Sequence, residues 1–235
     1  MKTFTKKDIR SLSLEELRCF FTENKVQAFR GNQVYQWLWQ KGIHSFEGMT
    51  NLSKSNRALL QEHFVINHID IDHQQKSNDG TIKNAVKLYD NLVVESVLIP
   101  TANRTTACVS SQVGCSLDCK FCATAKIKRM RNLNADEIYD QVVAIDRQSR
   151  LYFDRPLSNI VFMGMGEPLM NYKNLINAIE KITQQDGLGM SPSRITVSTS
   201  GIPKIIMKMA DDEVRFGLAV SLHSARQNVR AKLMP

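Results

Sequence analysis

From residue 107 onward the apolar residues switch repeatedly between two periods, and this alternation restricts the fold more than any other feature of the chain. Short apolar runs at 107–110, 159–163, 194–198 and 215–220 read as strands, and stretches at 135–148, 172–184 and 203–210 carry helical spacing. Strands separated by helices pair in parallel, because each crossover returns the chain to the end of the sheet it left. The expected class is α/β, with a ligand site at the C-terminal ends of the strands. Four strands do not close a barrel, so either the sheet is open or further strands complete it.

The preceding residues follow other patterns. Leu14, Leu17, Phe20 and Phe21 repeat at helix spacing behind Ser13, a good N-cap with Glu16 three residues on. Second and third helices fit 31–40, with Val34, Trp37 and Leu38 as the apolar stripe, and 54–64. Residues 1–72 are therefore expected to form a small all-helical accessory domain whose Trp and Phe residues anchor its core, a module of a size that can also dock RNA. The polar stretch HQQKSNDG at 73–80 reads as the boundary. Strands at 85–90 and 92–99, joined across Asp90-Asn91, form a β-hairpin, so that 73–100 is linker and hairpin and 101–235 is the core.

No apolar run approaches the roughly 20 residues that span a bilayer, and the N-terminus lacks the apolar core of a signal peptide. A cytoplasmic protein is expected. A net charge of +8 favours a polyanionic partner without identifying it. Lys126, Lys128, Arg129 and Arg131 crowd together, either as a solvated loop or as a phosphate-binding run.

The five cysteines are an odd number with telling positions. Cys115, Cys119 and Cys122 are spaced C-x3-C-x2-C within GCSLDCKFC, and three thiolates on one short loop can converge on an inorganic centre. Structural zinc wants a fourth ligand, and no His lies near in sequence. Three cysteines suit a four-iron cluster that leaves one iron open to a ligand. Further on, VFMGMGEPLMN places Gly164, Gly166 and Glu167 at a strand end. Glycines admit close approach of a ligand, and a carboxylate there can accept from an ammonium group; alone, the motif is equally a turn with a solvated Glu. Ser198, and Ser221, Leu222 and His223, end the next two strands. Cys108 is either a small buried strand residue or a functional thiol. Glu95 shares a strand face with Val93, Val97 and Ile99, either as an edge-strand charge or as a partly desolvated base.

The C-x3-C-x2-C spacing, with Phe121 before its third Cys, resembles that of radical S-adenosylmethionine (SAM) enzymes. The ordered set VESVLIP, CVSSQVGC, FCAT, RNL, MGMGEPLMN, VSTSG and SLH is similar to the RlmN/Cfr group of RNA methyltransferases, and closer to RlmN than to Cfr. That resemblance covers about residue 80 to Pro235. It implies a partial (βα) radical-SAM barrel with about four of six strands, preceded by the helical domain and hairpin.

It also implies a chemistry. Cys115, Cys119 and Cys122 would ligate one [4Fe-4S] cluster, and Gly166, Glu167, Ser198, Ser221, Leu222 and His223 would bind SAM. The expected reaction is methylation of C2 of an adenosine in 23S rRNA and in tRNA; the alternatives are a Cfr-like C8 methyltransferase, another radical-SAM enzyme, or a zinc-holding RNA-binding module. One SAM methylates a cysteine, a radical from a second SAM activates that methyl, and the carbon radical adds to the ring. Glu95 would then accept the C2 proton and Cys108 would resolve the adduct as a disulfide. A reductant such as flavodoxin and a monomeric state are expected. The methyl-carrying cysteine, a later SAM-contacting Asn and the last strands would fall beyond Pro235, so a chain ending there is expected to cleave SAM without methylating RNA. Ala125 and Ile127 depart from the family's loop.

Overall fold

A computed structural model of the protein describes residues 6–235. The chain divides into two compact units, one reaching to His68 and including Gln184–Gly189, the other formed by Ile69–Thr183 and Met190–Pro235.

The first unit contains β1 (Lys7–Asp8), α1 (Leu14–Glu23), α2 (Phe29–Trp39), α3 (Lys54–His63) and β2 (Phe64–Val65). Helix α1 starts as the sequence dictates. The Glu16 N–H donates to Ser13 Oγ at 3.2 Å, and the Ser13 N–H donates back to the Glu16 carboxylate at 2.6 Å. Its buried face is Leu17 and Phe21. The stripe expected for the second helix is shifted. Val34, Tyr35, Leu38 and Trp39 are its buried side chains, whereas Trp37 hydrogen-bonds Asn51 Oδ1 and carries Lys41 over its ring. Nor is the unit wholly helical, because β1 and β2 pair in parallel, Lys7 with Phe64 and Asp8 with Val65.

The second unit is built on one seven-stranded sheet, comprising β3 (Asp70–Lys76), β4 (Ile82–Lys87), β5 (Val93–Pro100), β6 (Thr105–Cys108), β9 (Asn159–Phe162), β10 (Ile195–Thr199) and β11 (Gly217–Val220). The short β7 (Gln112–Val113) and β8 (Arg131–Asn132) pair separately. Helices α4 (Ala135–Phe153), α5 (Tyr172–Thr183), α6 (Pro203–Asp211) and α7 (Gln227–Leu233) complete it. The strand order is β11-β10-β9-β6-β5-β4-β3. From β6 to β11 every pairing is parallel, the four-stranded α/β part that the alternation predicts.

The other end is antiparallel and larger than a hairpin. Residues 73–76, which read as linker, belong to β3 and pair with β4. Polarity misled here because β3 is an edge strand with almost every residue exposed, so it lacks the alternation of a half-buried strand.

Sheet faces follow the pleat. Leu98, Ala107, Ile160 and Ile195 stand in register across four strands and are all buried, with α4 and α5 supplying Ile138, Val142, Ile145, Leu175 and Ile182 to the core. The opposite face carries Glu95, Val97, Cys108, Val161, Thr196 and Ser198 and is open; Val93 and Ile99 are both more than a third exposed there. Among the described residues, no helix is long and apolar enough to cross a membrane.

Candidate cluster and ligand site

Beyond the C-terminal ends of β9, β10 and β11 lies a cavity of about 310 Å³. Cys115, Cys119 and Cys122 line it together with Phe121, Gly164, Gly166, Glu167, Ser198, Ser221 and His223, so ten of the residues singled out in sequence share one space. Leu222 lies outside that lining and is exposed. Glu95 and Cys108 also lie outside it.

The cysteine loop springs from the β7–β8 stem. The Cys115 N–H bonds Ile127 O at 3.2 Å, and the Cys122 N–H bonds Cys119 O at 3.0 Å, a tight turn that brings the last two cysteines near each other. The Lys120 N–H donates to Leu233 O at 2.9 Å, which ties the loop to α7. All three thiols are free and partly exposed. Burial raises the pKa of Cys119, and the charges of Cys115 and Cys122 raise it further. One short loop thus presents three cysteine thiols to the cavity, a donor set that suits a four-iron cluster with one open iron, whereas a closed tetrahedral zinc site wants a fourth ligand.

Glu167 does not project freely, as a solvated turn residue would; it is almost fully buried. Its carboxylate accepts from Thr199 Oγ1 at 2.7 Å, the Ser200 N–H at 2.8 Å and the Leu169 N–H at 3.0 Å. The two glycines serve the protein's own packing first. At Gly164 an added Cβ would stand 2.7 Å from Val109 O and Ser110 Oγ. Gly166 has φ of +94°, and its Cβ would meet the Gln112 side chain at 2.5 Å. Both therefore let the turn lie against the segment leading into β7, which the expectation of ligand approach did not foresee.

His223 ends the β11 turn with φ of +55°, and its ring contacts Phe121 at a centroid distance of 4.2 Å. Cys108 and Glu95 lie on the open sheet face, where Cys108 stands opposite Val97, two residues along β5 from Glu95. Burial raises the pKa of the Cys108 thiol, only partly offset by the Met163 N–H. Glu95 is half-exposed and its Oε1 lies 2.6 Å from Lys83 Nζ, an ion pair that no residue pattern announced.

The basic run is not of one kind. Lys126, Lys128 and Arg129 are exposed, but Arg131 is clamped, its Nε 2.6 Å from Asp90 and its two Nη atoms 2.7 and 2.8 Å from Glu137. Those hydrogen bonds and the two negative charges raise its pKa against the opposing effect of burial. Arg131 holds the stem of the loop and is not available to a phosphate.

Comparison with known proteins bears on both parts of the chain. Residues 109–234 match the Radical SAM superfamily, and residues 7–66 match the Ribosomal RNA large subunit methyltransferase N-terminal domain. A relative from Flavobacterium psychrophilum, named "Probable dual-specificity RNA methyltransferase RlmN", is 72% identical over 98% of this chain and 66% of its own. A relative from Geotalea uraniireducens, "Dual-specificity RNA methyltransferase RlmN", is 43% identical over 98% of this chain and 65% of its own. The chain thus spans just under two thirds of the length of these relatives. Among solved structures, "a radical SAM methyltransferase from Sphaerobacter thermophilus" superposes with a TM-score of 0.88 at 36% identity, covering 97% of this chain and 67% of that one.

Proposed function

This chain belongs to the radical SAM superfamily, and from that premise we propose that it carries the cluster-binding and SAM-binding part of an RNA methyltransferase acting on C2 of an adenosine in ribosomal and transfer RNA. The observation that carries the reading is the convergence of Cys115, Cys119 and Cys122 with Glu167, Ser198, Ser221 and His223 around one cavity at the strand ends. The relatives' printed names supply the substrate class.

In this reading the three thiolates hold a [4Fe-4S] cluster, which when bound supplies an electron for the reductive cleavage of SAM. The chain's own residues do the rest. Glu167, anchored by Thr199 and Ser200, orients a carboxylate edge towards the ammonium of the ligand's methionine part. Ser198, Ser221 and His223 flank the nucleoside part, with the Phe121 ring packed against His223. C2 of adenine is electron-poor, which makes radical addition a suitable route. Glu95, on the open face, accepts the proton released from C2, and Cys108 on the neighbouring strand is the resolving thiol. Lys126, Lys128 and Arg129 meet the RNA backbone, and a reductant of the flavodoxin type supplies the electron.

Anaerobic reconstitution with iron and sulfide, followed by dithionite and SAM, tests this. About four irons per chain with release of 5′-deoxyadenosine supports it. Bound zinc without a brown chromophore would sink it in favour of a zinc-holding RNA-binding module. Formation of C8- rather than C2-methyladenosine by the full-length protein would overturn the regiochemistry alone.

A further inference from the structure

Gln112 is fully buried, and both ends of its carboxamide are engaged. Its Oε1 accepts from the Glu167 N–H at 2.9 Å, and its Nε2 donates to Asn132 Oδ1 at 2.8 Å. Asn132 is its partner across the β7–β8 stem, and Asn132 Nδ2 donates onward to Met170 O at 3.3 Å. One side chain therefore joins the stem of the cysteine loop to the turn that carries Glu167.

Other bonds join the same two parts at their flanks. The N–H groups of Ser111 and Gln112 both donate to Met165 O, at 2.9 and 3.2 Å, and Asn171 Nδ2 donates to Ser111 O and Leu133 O, each at 2.8 Å. The Gln112 carboxamide adds the contact that reaches the main chain of Glu167 itself, and Gly166 is kept without a Cβ so that the turn can press against the Gln112 side chain.

We propose that Gln112 is a positioning residue for SAM, holding the cysteine loop and the Glu167 turn at the separation that one ligand must span. The inference rests on the radical-SAM reading of the cavity. A ligand gripped at two points loses affinity when the grips are misaligned, even if each grip remains intact. Each part has its own support without Gln112. The stem keeps its ladder and the Arg131–Glu137 clamp, and the Glu167 carboxylate keeps Thr199, Ser200 and Leu169.

The test uses the reconstituted, dithionite-reduced chain and follows the change in the cluster's electron paramagnetic resonance spectrum as SAM is added. In Gln112→Leu, the SAM concentration for half-maximal change should rise about tenfold or more, the scale expected when two intact grips on one ligand are misaligned. Iron content and the SAM-free spectrum should stay those of the parent. Asn132→Leu breaks the other end of the link and should show the same rise, which keeps the proposal testable if Gln112→Leu does not fold. Asn132→Asp retains an acceptor for Nε2 and should recover most of the affinity. Parental SAM response in Gln112→Leu would overturn the inference. So would a joint loss of iron and affinity in both Leu variants, since Gln112 would then merely support the loop. If the parent binds four irons but does not respond to SAM, the reading of the cavity fails first and the inference with it.

Discussion

Asn84 and Gln148 exchange two hydrogen bonds, Asn84 Nδ2 to Gln148 Oε1 at 3.0 Å and Gln148 Nε2 to Asn84 Oδ1 at 2.8 Å. They join β4 to α4 inside the core, where Asn84 is fully buried and Gln148 nearly so. Reciprocal pairing satisfies both amides only at one relative placement of strand and helix, so it selects the register of α4 on the sheet. Truncating one partner strands the other. Gln148→Leu should destabilise the chain by about 2 kcal/mol in urea unfolding, whereas adding Asn84→Leu should recover part of that loss, because the apolar pair leaves neither amide stranded and gives up only the long contact from Asn84 Nδ2 to Ser96 Oγ.

The clamp on Arg131 should be costly to break. Glu137 is almost fully buried and depends on the guanidinium for two hydrogen bonds. Arg131→Met should destabilise by about 3 kcal/mol, since it leaves a carboxylate without its cation. Arg131→Lys should recover only part, because an ammonium cannot make the two-pronged contact. Both are checked by denaturant titration.

The same clamp gives the chain an acid-sensitive contact. The hydrogen bond from Arg131 holds the Asp90 carboxyl below its ordinary pKa, against a smaller opposing effect of burial. Its contribution is therefore fully present above the unfolded-state pKa of about 3.9 and is lost as the pH falls through the lower folded value. Asp90→Asn should lower the melting temperature near neutral pH and approach the parent below that window. A constant difference across the range would show that Asp90 acts by shape alone.

Gly166→Ala should cost about 1–3 kcal/mol from backbone conformation alone, and more from its contact with Gln112. Gly164→Ala, whose backbone is not left-handed, should suffer only the clash with Val109 and Ser110. Calorimetry ranks the two.

Burial raises the Cys108 pKa, whereas Cys19 is exposed. Iodoacetamide near neutral pH should label Cys19 well before Cys108, and Cys108 labelling should accelerate as the pH rises. Mass spectrometry of timed samples reads the order; early labelling of Cys108 would show that its strand opens readily.

Much of this was legible in the residues, for reasons that differ by element. The parallel strands and their helices announced themselves because apolar runs buried on a helix-covered face, such as Ile195 to Thr199, keep a strong pattern. The capping box of α1 is a local contact between Ser13 and Glu16, so sequence spacing suffices. The cavity residues are gathered by fold class, since every strand end in a parallel sheet faces the same way. Strand β3 stayed hidden because an exposed edge strand buries too little to need apolar alternation. Trp37 and Trp39 stand two positions apart, about 200° around the helix, so only one of them can face the core, and a short apolar cluster does not say which. Gln112, Asn132 and Lys83 were missed because they act through partners distant in sequence or on another strand. Only the positive φ at Gly166, and what its missing Cβ makes room for, marks the Gln112 contact.

The reversal of strand direction at β6 bears on the order in which the unit assembles. Strands β3 to β6 are linked by short turns, so their pairings close small loops and can form early. Strand β9 can join β6 only after the cysteine loop and all of α4 have been accommodated between them. On a ribosome, the antiparallel meander would emerge first and offer β6 as a ready template. Any iron would then meet a loop whose anchoring edge already exists, so metal loading is expected to follow folding of the meander rather than to drive it.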